Sequence, residues 1–294
     1  MASAGKRRIE VAVLPVAGLG TRMLPATKAV PKEMLPVLDR PLIQYAIDEA
    51  REAGISEFVL VTARGKDAIE DHLDFLPELE RSLEARGKAR ELAEVRATRL
   101  PPGSVVSIRQ QEPLGLGHAV WCARHVVGRR PFAVLLPDDL VAGSPGCLSQ
   151  MVAAWAEVGG NLVAVEHVPR ARTASYGIVA PGAARGALIE VLGLVEKPAP
   201  EEAPSTLAVI GRYILQPEVM DALGEHRRGA GGEIQLTDAM AEMIGRQPFH
   251  GLAFTGTRHD CGSVVGTTIA TIALALARTD IAPALRAWLA EHLA

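Results

Sequence analysis

The chain has 294 residues, of which 48% are hydrophobic and 4% aromatic, and its 31 lysines and arginines against 34 aspartates and glutamates leave a net charge of -3. Such a balance lacks both the basic face and the aromatic platforms by which proteins hold nucleic acid. Cys122, Cys147 and Cys261 are odd in number, widely spaced and without a CxxC pair, which argues against a disulfide framework or a thiolate zinc site and makes a reducing cytoplasm the expected location.

In chain order, Lys6, Arg7 and Arg8 precede an apolar run, but Glu10 and Pro15 interrupt it and no cleavage site follows, so no export signal is expected. Residues 9–16 read as a strand that runs into Ala17-Gly18-Leu19-Gly20-Thr21-Arg22, with Lys28 and Lys32 close behind. Glycines let backbone N–H groups approach phosphate oxygens, a guanidinium adds a charged fork and an ammonium a compact charge. The stretch reads as a cradle for a polyphosphate. A dinucleotide fingerprint would need glycine at Met23, and Pro25, Pro31 and Pro36 forbid the unbroken helix of that motif. No GxxxxGK[ST] string occurs anywhere in the chain. Arginine is the default cation, twenty-five against six lysines, yet Lys28, Lys32 and Lys197 fall inside the informative segments.

Further strands are expected at residues 58–62, 105–109, 132–136, 162–167, 189–195 and 207–214, with helices at 42–53, 66–73 and 117–125. That alternation specifies an α/β chain, a Rossmann-like layered fold with a mixed, mainly parallel central sheet flanked by helices. Residues 78–98 are charged and helical in composition, a solvated excursion over the surface. Residues 198–204, with three prolines, form a loop, and 264–294 form two helices rich in alanine and leucine. The late apolar stretch 267–277 falls short of the roughly 20 residues a membrane-spanning helix needs, so no membrane association is expected. The whole of 1–294 reads as one domain, with a nucleotide-binding part at about 9–140, a second part at about 160–262 and the terminal helices beyond it.

The string GLGTRMLPATKAVPKEMLPV resembles the signature of the bacterial sugar-1-phosphate nucleotidyltransferases. GLGHAV (115–120), LLPDD (135–139), VEKP (195–198), GGEIQLTDA (231–239) and HDCG (259–262) follow in the family's order, so the resemblance spans nearly the whole chain. It implies a Mg2+-dependent transfer of a uridylyl group from UTP to glucose 1-phosphate, giving UDP-glucose and pyrophosphate, in a soluble homo-oligomer. Thymidylyl transfer to the same sugar phosphate and a non-catalytic regulatory role are the alternatives. A sugar phosphate is already largely dianionic at pH 7, its second pKa being about 6, so positioning and neutralisation suffice and no nucleophilic side chain is needed.

By this resemblance Ala17, Gly18 and Gly20 cradle the nucleotide, and Arg22 and Lys32 hold the triphosphate as pyrophosphate departs. Lys28 is expected to stand back from the substrate. Gln110, with Gln111 as the alternative register, reads the base edge beside Gly115. Asp138, at the carboxyl end of a strand, and Asp260 hold the metal, although either also suits a turn or cap. Asp139 is expected to point away. Gly177, Glu196 and Lys197 bind the sugar phosphate, Lys197 also counting with Arg22 and Lys32 among the catalytic residues, a Glu-Lys dipeptide being otherwise a common surface pair, and Glu233 either lies close to the sugar or supports the residues that touch it. His118 is expected to be a structural hydrogen-bonder. Leu114, where a lysine is expected, and Gly262-Ser263-Val264-Val265, where a GNKLG-like string is expected, depart from the pattern.

Overall fold

The structure is a computed structural model describing residues 8–292; Lys6 and Arg7 of the basic run and the last two residues lie outside it. The strands are β1 (Val11–Pro15), β2 (Pro36–Val37), β3 (Arg40–Pro41), β4 (Glu57–Thr62), β5 (Val105–Arg109), β6 (Phe132–Leu135), β7 (Asp139–Ala142), β8 (Asn161–His167), β9 (Gly177–Arg185), β10 (Leu188–Glu196), β11 (Leu207–Leu215), β12 (Phe249–Ala253) and β13 (Thr257–Asp260). Nine of them make one sheet in the order β5-β4-β1-β6-β11-β8-β12-β10-β9. The first four are parallel, β8 and β12 are parallel, and β10 and β11 run against their neighbours. The pair Ala208 and Ile178 also joins β11 to β9, so the last five strands curl back on themselves. Two short ribbons, β2 with β3 and β7 with β13, stand apart from this sheet.

Continuous apolar strands arise where both faces of a sheet are covered. In β1, Val11 and Val13 point into one core while Ala12 and Leu14 point into the other. Helices Leu42–Glu52, Asp67–Leu73 and Cys147–Val158 cover the second face, and Leu116–Cys122, Val219–Leu223 and Leu236–Ala241 cover the first. Ile43, Ala46, Ile47 and Ala50 recur at helical spacing, and all four are buried. The architecture is a mixed α/β fold with a central sheet flanked by helices.

The charged excursion forms two helices, Pro77–Ala85 and Ala89–Thr98, tied by an Arg96–Glu80 ion pair at 2.9 Å. The C-terminal segment forms Val264–Ala277 and Ala282–His292, bent 120° from one another. Ser263 has a defined task here: its Oγ accepts the Gly266 N–H at 3.1 Å and caps the first of these helices. Among the described residues, no single helix is long and apolar enough to cross a membrane.

Candidate active site

In α/β sheets ligands gather outside the carboxyl ends of the parallel strands. At the end of β1 the chain turns through Ala17, Gly18 and Gly20 into a 3-10 turn, Thr21–Met23. Gly20 has φ +65, and a Cβ there would stand 3.1 Å from Thr27 Cγ2 and 3.2 Å from Lys32 Cβ. Both handedness and close approach therefore require glycine. Thr27 Oγ1 donates to the Gly20 carbonyl at 2.8 Å and closes the loop on itself. Gly18 faces the Lys32 stem, whose Cε lies 3.7 Å from the position of an added Cβ. Behind this loop Glu33 is 1% exposed and accepts from Lys66 Nζ at 2.9 Å, a buried pair that fixes the segment carrying Lys32 to the loop after β4. Lys28 is exposed and outside the cavity lining.

At the end of β6, Asp138 meets Lys32: Nζ stands 2.6 Å from Oδ2. Burial alone would raise the Asp138 carboxyl, but the Lys32 ammonium beside it holds it below its ordinary value. Burial likewise works against the Lys32 charge, while Asp138 and Glu33 keep its pKa raised. Both groups are thus charged at neutral pH. The Cys261 N–H donates to the Asp138 carbonyl at 2.7 Å, which brings the end of β13, and Asp260 with it, alongside.

A cavity of about 310 Å3 opens here. Of the residues singled out from the sequence, Arg22, Asp138, Gly177, Glu196, Lys197, Glu233 and Asp260 line it. Four of its carboxylates face cations: Asp138 faces Lys32, Asp139 faces Arg258 at 2.6 Å, Asp260 faces Arg172 at 3.6 Å and Glu196 faces Lys197 at 3.1 Å. Arg22 has no ion-pair partner among the described residues, although it reaches Gly262 beside Asp260. Lys197 has φ +48, an uncommon conformation for a residue with a Cβ, and its N–H donates to the Tyr176 carbonyl at 2.9 Å. Gly177 lies beneath Glu196 and Thr237, whose side-chain atoms would stand 3.2 and 2.9 Å from an added Cβ.

Ala17, Gly18, Gly20, Lys32, Gln110 and Gly115 are outside the cavity lining; Lys32 touches it through Asp138 and Gly115 through Glu233. The Gln110 N–H donates to the Thr62 carbonyl at 2.8 Å, placing Gln110 at the carboxyl ends of β4 and β5. Gly115 has φ +107, and a Cβ there would meet Glu233 Cβ at 2.7 Å and the Ile234 carbonyl at 2.8 Å. The 233–234 segment therefore packs directly on Gly115, and only glycine fits there. Leu114 belongs to the same junction: its carbonyl accepts the Ile234 N–H at 2.7 Å. His118 contacts Gln110 with Nδ1 3.1 Å from Nε2, as a structural hydrogen-bonder should.

A profile of the nucleotidyl transferase family matches residues 11–271. The chain belongs to the nucleotidyl transferase family. It is 56% identical over 259 residues to the UTP--glucose-1-phosphate uridylyltransferase of Komagataeibacter xylinus, covering 88% of this chain and 91% of that one. With the protein of the same name from Bacillus subtilis (strain 168) it shares 47% identity over 271 residues, 92% of each chain. Among solved structures, a UTP-bound UGPase from Acinetobacter baumannii superposes with a TM-score of 0.89 at 42% identity, covering 97% of this chain and 99% of that one.

Two features of this nucleotidyl transferase site escape the sequence reading. Asp139 does not point away, because β6 ends at Leu135 and the chain turns before Asp139 opens β7, which pairs with β13 rather than extending β6. Its Oδ2 accepts the Gly211 N–H at 2.8 Å and its Oδ1 faces Arg258. Arg258 itself lines the cavity and bonds the Tyr176 hydroxyl at 3.4 Å. It sits two residues before Asp260, and period-two spacing on a strand places such residues on one face. That spacing was the available signal. Cys261 is no nucleophile: burial, with Asp138, Asp139 and Asp260 around it, pushes its thiol up to about 12.

As a metal site, Asp138 and Asp260 enter one cleft from adjacent segments, and no cluster of three or more His, Cys, Asp or Glu side chains forms a cage among the described residues. One or two carboxylates, with remaining positions left to water and phosphate oxygens, is the donor set that suits Mg2+. The residues fit that ion.

Proposed function

We propose that this nucleotidyl transferase moves the uridylyl group of UTP to α-D-glucose 1-phosphate, releasing pyrophosphate and forming UDP-glucose. The observation that carries the reading is the convergence on one cavity of Arg22, Asp138 and Asp260 with Glu196 and Lys197. The substrate identity is supported by the 56% likeness to a UTP--glucose-1-phosphate uridylyltransferase over 88% of the chain.

In this reading a phosphate oxygen of the sugar phosphate forms a bond to the α-phosphorus of UTP while the bond from that phosphorus to the β-bridging oxygen breaks, and pyrophosphate carries the electron pair away. The backbone at Ala17, Gly18 and Gly20 receives the nucleotide. Arg22, free of any ion-pair partner in the cleft, takes the triphosphate, and Lys32 adds a second cation next to it. Preorganised cations aimed at developing charge act strongly in a cleft that excludes water. Lys197 holds the sugar phosphate, and Glu196 accepts from sugar hydroxyls above Gly177. Gln110 faces the base. Mg2+, held by Asp138 and Asp260, would neutralise charge on the phosphates. No proton needs a dedicated base, in keeping with a cavity in which the carboxylates named above face cations.

The test is pyrophosphate release by the purified protein with Mg2+ and glucose 1-phosphate, comparing UTP, dTTP, CTP, ATP and GTP, with Asp138→Ala alongside. A UTP preference that disappears in Asp138→Ala is the expected result. A dTTP preference would transfer the chain to the thymidylyl alternative, and no turnover with any triphosphate would overturn the enzyme reading.

A further inference from the structure

Gln110 and His118 form a unit that the reaction alone does not explain. Gln110 is 8% exposed and His118 9%. Gln110 Nε2 donates to the Gly115 carbonyl at 3.1 Å and stands 3.1 Å from His118 Nδ1. A carbonyl oxygen can only accept, so this end of the carboxamide is the NH2 end, and the imidazole nitrogen opposite it must be the acceptor. That fixes the tautomer with the proton on Nε2, which points toward Cys122 Sγ at 4.0 Å. The ring is wedged between Trp121, at 5.9 Å between centroids, and His226, at 5.7 Å. Both amide hydrogens of Gln110 are therefore committed to protein acceptors, while Oε1 has no hydrogen-bond partner among the described residues.

We propose that His118 is a specificity-determining positioning residue: its Nδ1, with the Gly115 carbonyl, turns the Gln110 carboxamide so that only Oε1 is presented to the nucleobase, making the site an acceptor for a base N–H. The inference deepens the proposed uridylyl reading and rests on Gln110 facing the base there. Uracil offers an N3–H to such an acceptor. Cytosine offers a bare N3 and would place two lone pairs face to face. An unrestrained carboxamide could rotate and serve either base, since it carries donor and acceptor on the same group. A site with one fixed polarity rejects the wrong partner because buried polar groups are left unpaired.

The same geometry predicts a pH dependence. Protonation of His118 would aim an Nδ1–H at the Gln110 NH2, donor against donor, and release the restraint. Burial, then His226, keep this imidazole below its ordinary value, Arg124 acting in the same direction and Glu112 in the opposite one. Cys122 is the remaining titratable neighbour, and its thiol is itself raised by burial. His118 is thus neutral at pH 7, and the restraint is lost only as pH falls through its depressed value, on the acid side of the ordinary histidine range.

The experiment measures equilibrium binding of UTP and of CTP, with Mg2+, by calorimetry from pH 5.5 to 8. The ratio of the two affinities cancels titration of the shared triphosphate. For the unmodified protein the UTP:CTP ratio should be constant near pH 8 and fall severalfold toward pH 5.5. In His118→Leu it should be about tenfold lower at pH 7.5, roughly the worth of one hydrogen bond of 1 to 1.5 kcal/mol, and flat with pH. His226→Phe should keep the pH dependence, which separates the two imidazoles. A ratio that is flat with pH in the unmodified protein, or unchanged in His118→Leu, overturns the inference while leaving the uridylyl reading in place. Absence of any UTP preference in the unmodified protein overturns the reading itself. Should His118→Leu fail to fold, the pH profiles of the unmodified protein and of His226→Phe decide the question.

Discussion

The phosphate side and the sugar side of the cleft are held in place by different means. Around the cradle, position is enforced by ion pairs and a loop-closing hydrogen bond: buried Glu33 with Lys66 behind the loop, half-buried Lys32 with Asp138 in front of it, and Thr27 Oγ1 donating to the Gly20 carbonyl. Around Glu196 and Lys197 it is enforced by backbone, through the pairing of Glu196 with Gly177 across β10 and β9 and the left-handed φ of Lys197, while the Lys197 side chain stays 44% exposed. On the proposed reading, the triphosphate would therefore meet a site largely set before it arrives, whereas the sugar phosphate would meet a cation free to adjust.

The sharpest way to break that contrast is to unpin the cradle from behind. Lys66→Met leaves Glu33 buried without its ammonium, and removing one partner of a buried pair costs about 3–5 kcal/mol. Denaturant unfolding at pH 7.5 should show a loss of this size, with replacement of both residues by Met and Leu recovering much of it. Burial raises the Glu33 carboxyl, with Lys66 working against that rise. A carboxyl raised in the folded state contributes stability below its unfolded pKa and loses it as pH rises through the folded one. The deficit of Lys66→Met should therefore widen from the ordinary carboxylate range toward neutral pH. A deficit that narrows instead would mean Glu33 is not the orphaned group.

In front of the loop, Arg22→Ala and Lys32→Ala should each lower kcat/KM for pyrophosphate release by about 10²–10³, the scale found for loss of one preorganised charge-stabilising contact. Both UTP and the sugar phosphate should show it, because the loss is of transition-state stabilisation. On the sugar side Lys197→Ala removes one charged hydrogen-bonding group of about 1.5–3 kcal/mol. Its effect should appear mainly in the KM for glucose 1-phosphate, and an equal rise in the KM for UTP would erase the distinction between the two sides.

The same contrast governs what could be read in the sequence. The cradle is contiguous, so its glycines, Arg22 and Lys32 were visible as one string, and β1, β4, β6, β8 and β11 were visible as apolar runs because both faces are covered. The sugar side is assembled from four separate segments, 172–177, 196–197, 233–237 and 258–260, and it emerged from the sequence chiefly through the family resemblance. β9 carries Gly177, Pro181 and Gly182, poor strand formers that are held by pairing to β10 rather than by their own propensity. Asp139 and Arg258 stayed hidden for a related reason: the ribbon of β7 and β13 is short and outside the main sheet, and no apolar run announces it.

Arg172 is the finest test of the comparison because it touches both sides. Its guanidinium stands 3.6 Å from Asp260, expected on the metal side, and 3.0 Å from the Tyr176 hydroxyl, next to Gly177. Its side chain is 55% exposed, and an exposed pair of this kind contributes about 0.2–1 kcal/mol. Arg172→Ala should accordingly change kcat/KM by no more than about fivefold. If that small change falls on the KM for glucose 1-phosphate, Arg172 acts with the adjustable cation Lys197; if it falls on the KM for UTP, it acts through Asp260. A loss of a hundredfold would mean that the loop carrying Arg172 closes over the substrates and withdraws this ion pair from water, so that the sugar side becomes as tightly ordered as the cradle once it is occupied.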